Sequence, residues 1–143
     1  MKILHSELSD QILKTFYGSR NNLPFGLELS FYKNMLEVEL LESELEIEID
    51  KEIEVKYKQN VIGKFKVDFI IADKIIIQIV ESIIIVDEIQ IEKMKMILKM
   101  TKYEVGLILN YGSDGQHKRV FISNDFKKKI PVAKSLKNLG NQN

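Results

Sequence analysis

Residues 75–80, IIIQIV, carry isoleucine or valine on both sides of an extended chain, interrupted by one amide. Side chains alternate faces along a strand, so such a strand must be covered from both sides. That requires a central place in a sheet with further structure on each face, and the expected strand runs from Lys74 to Val80. The preceding segment, Lys64–Ala72, alternates Phe65, Val67, Phe69 and Ile71 with Lys64, Lys66, Asp68 and Ile70. A tight turn at Asp73-Lys74 joins the two expected strands. The pair therefore holds one acid, Asp68, and one amide, Gln78, among apolar neighbours.

The rest of the chain supplies the cover. Ser6 or Ser9 is placed to cap a first helix in which Leu8, Ile12 and Phe16 recur, flanked by Leu13 and Tyr17 and ending near GSRNN. Pro24 and Gly26 introduce a second helix. Leu27, Phe31, Met35 and Val38 form one stripe on it, Tyr32, Leu36 and Leu40 widen that stripe, and the breadth predicts deep burial. From Glu44 the period becomes two, with Leu45, Ile47, Ile49 and then Ile53, Val55, Tyr57 alternating with acids, and Asn60–Gly63 is the expected turn into the next strand. Downstream, a helix over 87–100 has Ile89, Lys93, Met96, Ile97 and Met100 near one stripe. Strands over 104–110 and 119–123 follow, separated by a turn at Gly112–Gly115. The fold class is α/β, a mixed central sheet flanked by helices. The expected organisation is one domain over residues 1–123 and a lysine-rich tail over 124–143.

Composition bounds function. With 143 residues the chain is long enough for a single core, and its 21 basic and 21 acidic residues cancel, so no global field steers it to a polyanion. It has no cysteine, which excludes disulfides and thiolate metal sites and fits a reducing, cytoplasmic setting. MKILHSELSD lacks an apolar stretch with a cleavage site, and the run 75–86 is broken by Gln78, Glu81 and Ser82, short of the roughly 20 residues of a membrane span. No signal peptide and no membrane partner are expected. His5 and His117 show no metal spacing and receive no role; Met94, Met96 and Met100 read as core and helix face.

The order of elements, LPFGLELSFY before the second helix, VIGKFKVDFIIADKIIIQIVES, and KMTKYEVGLILNYG followed by KRVFIS resemble the bacterial GxxExxY proteins, small members of the PD-(D/E)XK nuclease-like superfamily. The resemblance spans about Leu8 to Ser123 and implies a restriction-endonuclease-like core. It also implies a site in which one strand presents an acid, the next an acid-x-lysine, and a helix a glutamate. Carboxylates suit the hard Mg²⁺ ion, which activates water and neutralises phosphodiester charge, while the lysine adds fixed positive charge.

Residue by residue, the match is incomplete. Asp68 falls on the first acid and would be the metal ligand of an active site. Gln78 stands in place of the second acid and Val80 in place of the lysine. GxxExxY becomes GLELSFY, so Gly26 and Tyr32 match, Leu29 takes the glutamate position, and Glu28 lies one residue early, about 100° round a helix. A one-residue slip would set Glu81 at the lysine position and Ile79 at the acid. Lys93 is a candidate migrated lysine, about where the family carries a glutamine. A neutral amide brings a carbonyl oxygen but no charge to Mg²⁺. Gly26 and Tyr32 read equally as turn and packing residues.

Charge is unevenly spread. Between Met35 and Glu54 nine acids face one base, Lys51, a net of −8; from Asn124 onward five lysines face Asp125, a net of +4. The acidic stretch repels phosphate. The reading is a degenerate nuclease-like domain acting as a binding or assembly module, with a protein partner or a homodimer and no cofactor. Two alternatives stay open. One is a nuclease acting on DNA or RNA with Mg²⁺ through Asp68, Glu28 or Glu81, Gln78 and Lys93. The other is a subunit completed by a partner chain.

Overall fold

The computed structural model describes residues 3–81, 88–112 and 116–128. Five strands form one sheet in chain order: β1 (Ile47–Tyr57), β2 (Asn60–Ile71), β3 (Ile75–Val80), β4 (Val105–Asn110) and β5 (His117–Phe121). β3 and β4 are parallel and every other neighbour is antiparallel, so the sheet is mixed. The parallel pair needs a crossover, and α3 (Glu88–Lys99) lies between the two strands in sequence.

IIIQIV is the middle strand, covered on both faces as its composition requires. On one side α1 (Ser6–Ser19) and α2 (Leu29–Glu42) bring Ile12, Phe16, Tyr32, Leu36 and Leu40 against Phe69, Ile77 and Leu107. On the other, Met94, Ile97 and Leu98 of α3 meet Ile70, Ile76 and Ile108. Each such fully buried side chain contributes about 1.5–3 kcal/mol. Gly106 lets α3 pack close to β4, because a Cβ there would collide with the Met94 side chain.

Several expectations need correction. Neither Ser6 nor Ser9 caps α1: His5 holds the cap position, and the buried Ser9 hydroxyl donates back to the carbonyls of His5 and Ser6. The first hairpin turns at Lys58 and Gln59, with φ of 49° and 68°, and not at Asn60–Gly63, which belongs to β2. The second turns at Ala72 and Asp73, both at φ 53°, one residue before the expected place. α2 buries Tyr32, Leu36 and Leu40, yet Phe31 and Val38 remain exposed, because the sheet can cover only one side of a helix that is apolar on two. Likewise α3 buries Met94, Ile97 and Leu98 and leaves Ile89 and Met96 outside.

The lysine-rich segment begins against the body. Ser123 caps a short helix, α4 (Asn124–Lys127), and the buried Lys127 ammonium donates to the carbonyls of Thr101 and Tyr103. The Gly112–Gly115 turn beyond Gly112, the first residue of the expected 87–100 helix, and the tail from 129 onward lie outside the described residues.

Candidate functional site

The β2–β3 ladder pairs Ile71 with Ile75, Ile70 with Ile76 and Phe69 with Ile77, and there it stops. The next pair would be Asp68 and Gln78. Their side chains take over the bridging: Gln78 Oε1 accepts from the Asp68 amide at 2.6 Å, and Asp68 Oδ2 accepts from the Ile79 amide at 2.9 Å. Where two strands part, backbone N–H groups lose their ladder partners and must be satisfied otherwise. The acid and the amide do this reciprocally, which accounts for the two polar residues in an otherwise apolar strand pair.

The second Asp68 oxygen faces a cation from the protein itself. Lys33 Nζ, on α2, lies 3.5 Å from Asp68 Oδ1 and makes a short ion pair with Asp50. Asp50 sits on β1 between the pairs Ile49–Phe69 and Lys51–Val67, which sets it beside Asp68. Its φ of 54° is unusual for a non-glycine residue within a strand. Partial burial alone would lower the Lys33 ammonium, but the hydrogen bond to Asp50 and the charge of Asp68 outweigh it and hold the group above its ordinary range. The same hydrogen bond holds the Asp50 carboxyl below the usual carboxylate range.

Lys33 and Asp50 escaped the sequence reading because no motif contains them. Lys33 nevertheless lies four residues after Leu29, one helical turn along the same side of α2. A lysine thus approaches Asp68 from α2, the helix on which the expected glutamate position falls at Leu29.

The other expected residues divide. Gln78 and Val80 line a cavity of about 210 Å³ together with Lys93, Gln90, Met94 and Ile108. Gln90, one turn before Lys93, is a further polar residue that sequence reasoning missed. Asp68 does not line this cavity. Glu28 is exposed at the N-cap of α2 and makes no side-chain capping bond. Glu81 is exposed just beyond β3. Leu29 is half-buried against the α1–α2 core cluster, and Val80 packs against the α3 cluster.

Gly26 and Tyr32 do packing and turn work. Gly26 has φ of 90°. The buried Tyr32 hydroxyl donates to Pro24 O at 2.6 Å and accepts from the Leu27 amide at 3.3 Å, while its ring stacks on Tyr111.

A divalent cation fits these residues poorly. Asp68 Oδ2 is occupied by an amide proton, Gln78 offers no charge, and an ammonium already faces Oδ1. Among the described residues no three acids or histidines gather into a set able to hold a metal. No helix among them is long and apolar enough to cross a membrane.

A five-stranded mixed sheet with helices on both faces makes this an α/β protein, an architecture that fits the nuclease-like class. A family model described as the PD-(D/E)XK nuclease superfamily matches residues 6–120. The chain belongs to that superfamily. No match was found among curated proteins or among solved structures.

Proposed function

We propose that the chain is a degenerate, GxxExxY-type member of its superfamily that does not cleave nucleic acid and serves in the cytoplasm as a binding or assembly module. One observation carries this reading: the Asp68 carboxylate is committed to the Ile79 amide and to Lys33. Catalysis by a bound metal needs carboxylate oxygens that are free to coordinate. Gln78 is spent on the Asp68 amide, and Leu29 and Val80 supply neither acid nor lysine.

A second reading rests on the cavity that gathers Gln78, Gln90 and Lys93. It is a Mg²⁺-dependent nuclease with a rearranged site, in which Asp68 lets go of Ile79 and Lys33, or a subunit completed by a partner.

The test is incubation of purified protein with Mg²⁺ or Mn²⁺ and duplex DNA, single-stranded DNA or RNA, beside Asp68→Ala. The expected result is no cleavage above buffer and no difference between the two proteins. Cleavage that disappears in Asp68→Ala would sink the first reading in favour of the second.

A further inference from the structure

We infer that two copies of the chain associate, the lysine-bearing outer half of the β1–β2 hairpin of one docking on the acidic, apolar outer side of α2 in the other. The hairpin projects: β3 pairs with β2 only over Phe69–Ile71, and residues 55–63 at its end have no strand neighbours but each other. That outer part carries Lys56 and Lys58 and no acid, whereas Lys64 and Lys66 lie opposite Glu54 and Glu52. Tyr57, Val61 and Ile62 stand among them, 52%, 48% and 64% exposed. The two-residue turn at Lys58 and Gln59 fixes the tip.

α2 offers the counterpart. Phe31, Val38 and Leu41 share its outer side at i, i+7 and i+10, each more than half exposed. Glu37 and Glu42 flank them, within the stretch that carries nine acids against one base. Each patch thus pairs apolar side chains with one sign of charge, and the two signs are opposite in a chain whose net charge is zero.

A second copy satisfies both patches at once. Nucleic acid would meet Lys56 and Lys58 but would give Val61 and Ile62 no apolar surface, and the acids of α2 and β1 would repel it. An anionic bilayer would cover the hairpin tip and leave α2 bare. In a two-fold dimer each copy contributes its hairpin and its helix, so every contact occurs twice. Six half-exposed apolar side chains supply roughly 500 Å² per copy, which with flanking charges approaches the ~800 Å² per partner of a standard interface.

This inference rests on the assembly reading above and is tested by mass, not by cleavage, so it can fail while the nuclease-silent reading stands. Light scattering during size exclusion of the full chain should give the mass of two chains, falling towards one on dilution or at high salt. Lys56→Glu/Lys58→Glu and Glu37→Lys/Glu42→Lys, each checked by circular dichroism for an unchanged fold, should each weaken association about tenfold or more. An equimolar mixture of these two variants should recover the dimer, because one contact then has both charges reversed and the other has both native. A monomeric wild type, or a dimer indifferent to both variants, overturns the inference. So does a mixture that stays monomeric. Binding of a monomeric chain to duplex DNA or to anionic lipid vesicles, lost in Lys56→Glu/Lys58→Glu, overturns it in favour of those partners.

Discussion

Replacing Asp68 separates a carboxylate kept for structure from one kept for a metal, because the two roles predict opposite signs. In Asp68→Ala the Ile79 amide loses its acceptor beside a ladder that has already ended. A stranded backbone donor costs about 1–3 kcal/mol. Lys33 retains Asp50, and with Lys33 and Asp68 side chains 20% and 24% exposed the lost 3.5 Å contact adds at most about 1 kcal/mol. The sum is about 1–4 kcal/mol. At about 2–4 °C per kcal/mol for a chain near this size, the melting temperature should fall by about 2–16 °C. Asp68→Asn keeps an acceptor for Ile79 and should lose about half as much. Asp50→Asn, at an exposed position where asparagine tolerates positive φ, should lose less than about 1 kcal/mol. A metal-site acid behaves otherwise: without its ion it is repelled by neighbouring acids, and its removal stabilises. Thermal unfolding followed by circular dichroism, with and without Mg²⁺, reads the difference. An Asp68→Ala protein that melts higher than wild type, or within about 1 °C of it, refutes the structural role. A rise in the wild-type melting temperature on adding Mg²⁺, lost in Asp68→Ala, refutes it as well.

Three further outcomes are expected. Gln78→Glu keeps an acceptor for the Asp68 amide but sets a second carboxylate beside Asp68, so urea unfolding should show a loss of about 1 kcal/mol at neutral pH that shrinks as the acids protonate. Gly106→Ala drives a methyl into Met94 and should cost about 1–3 kcal/mol, with Met94→Ala in the same chain cancelling part of its own cavity cost; strictly additive losses in a double-mutant cycle would contradict the contact. Burial, and then Lys118, lower the His117 imidazole below its ordinary 6.5, and burial and Lys74 do the same for His5. The unfolded chain then binds protons more readily, so stability is full above about pH 6.5 and falls as pH drops through the lower folded values. His117 Nδ1 shares a 2.7 Å hydrogen bond with the Tyr17 hydroxyl. His117→Gln should flatten the dependence of the urea midpoint between pH 7.5 and 5.5 (about one unit either side of the ordinary value).

Much of this architecture was legible because single residues left little choice. Isoleucine on both faces of IIIQIV admits only a central strand, and the chain makes it the third of five. Periodicity failed where a segment is apolar on more than one side. α2 carries Phe31, Met35 and Val38 beside Tyr32, Leu36 and Leu40, and only the position of the sheet decides that Tyr32, Leu36 and Leu40 go inside. The hairpin turn was misplaced because Asn60 and Gly63 look like turn residues, whereas Lys58 and Gln59 accept positive φ under the register of the flanking strands.

The site divides in the same way. Asp68 and Gln78 are visible in sequence as polar residues in apolar strands. Their actual partners follow only from the register: Gln78 meets the Asp68 amide because the ladder ends one pair earlier, and Asp50 meets Lys33 because it lies opposite Asp68, eighteen positions away in sequence. A local pattern cannot contain a triad drawn from α2, β1 and β2. Yet the triad decides the chemistry, since a lysine that shares two carboxylates balances charge that a metal would otherwise balance. Lys33 thereby puts a cation of the fold's own in reach of the Asp68 carboxylate, while Asp68 and Gln78 satisfy the amides of the parted strands.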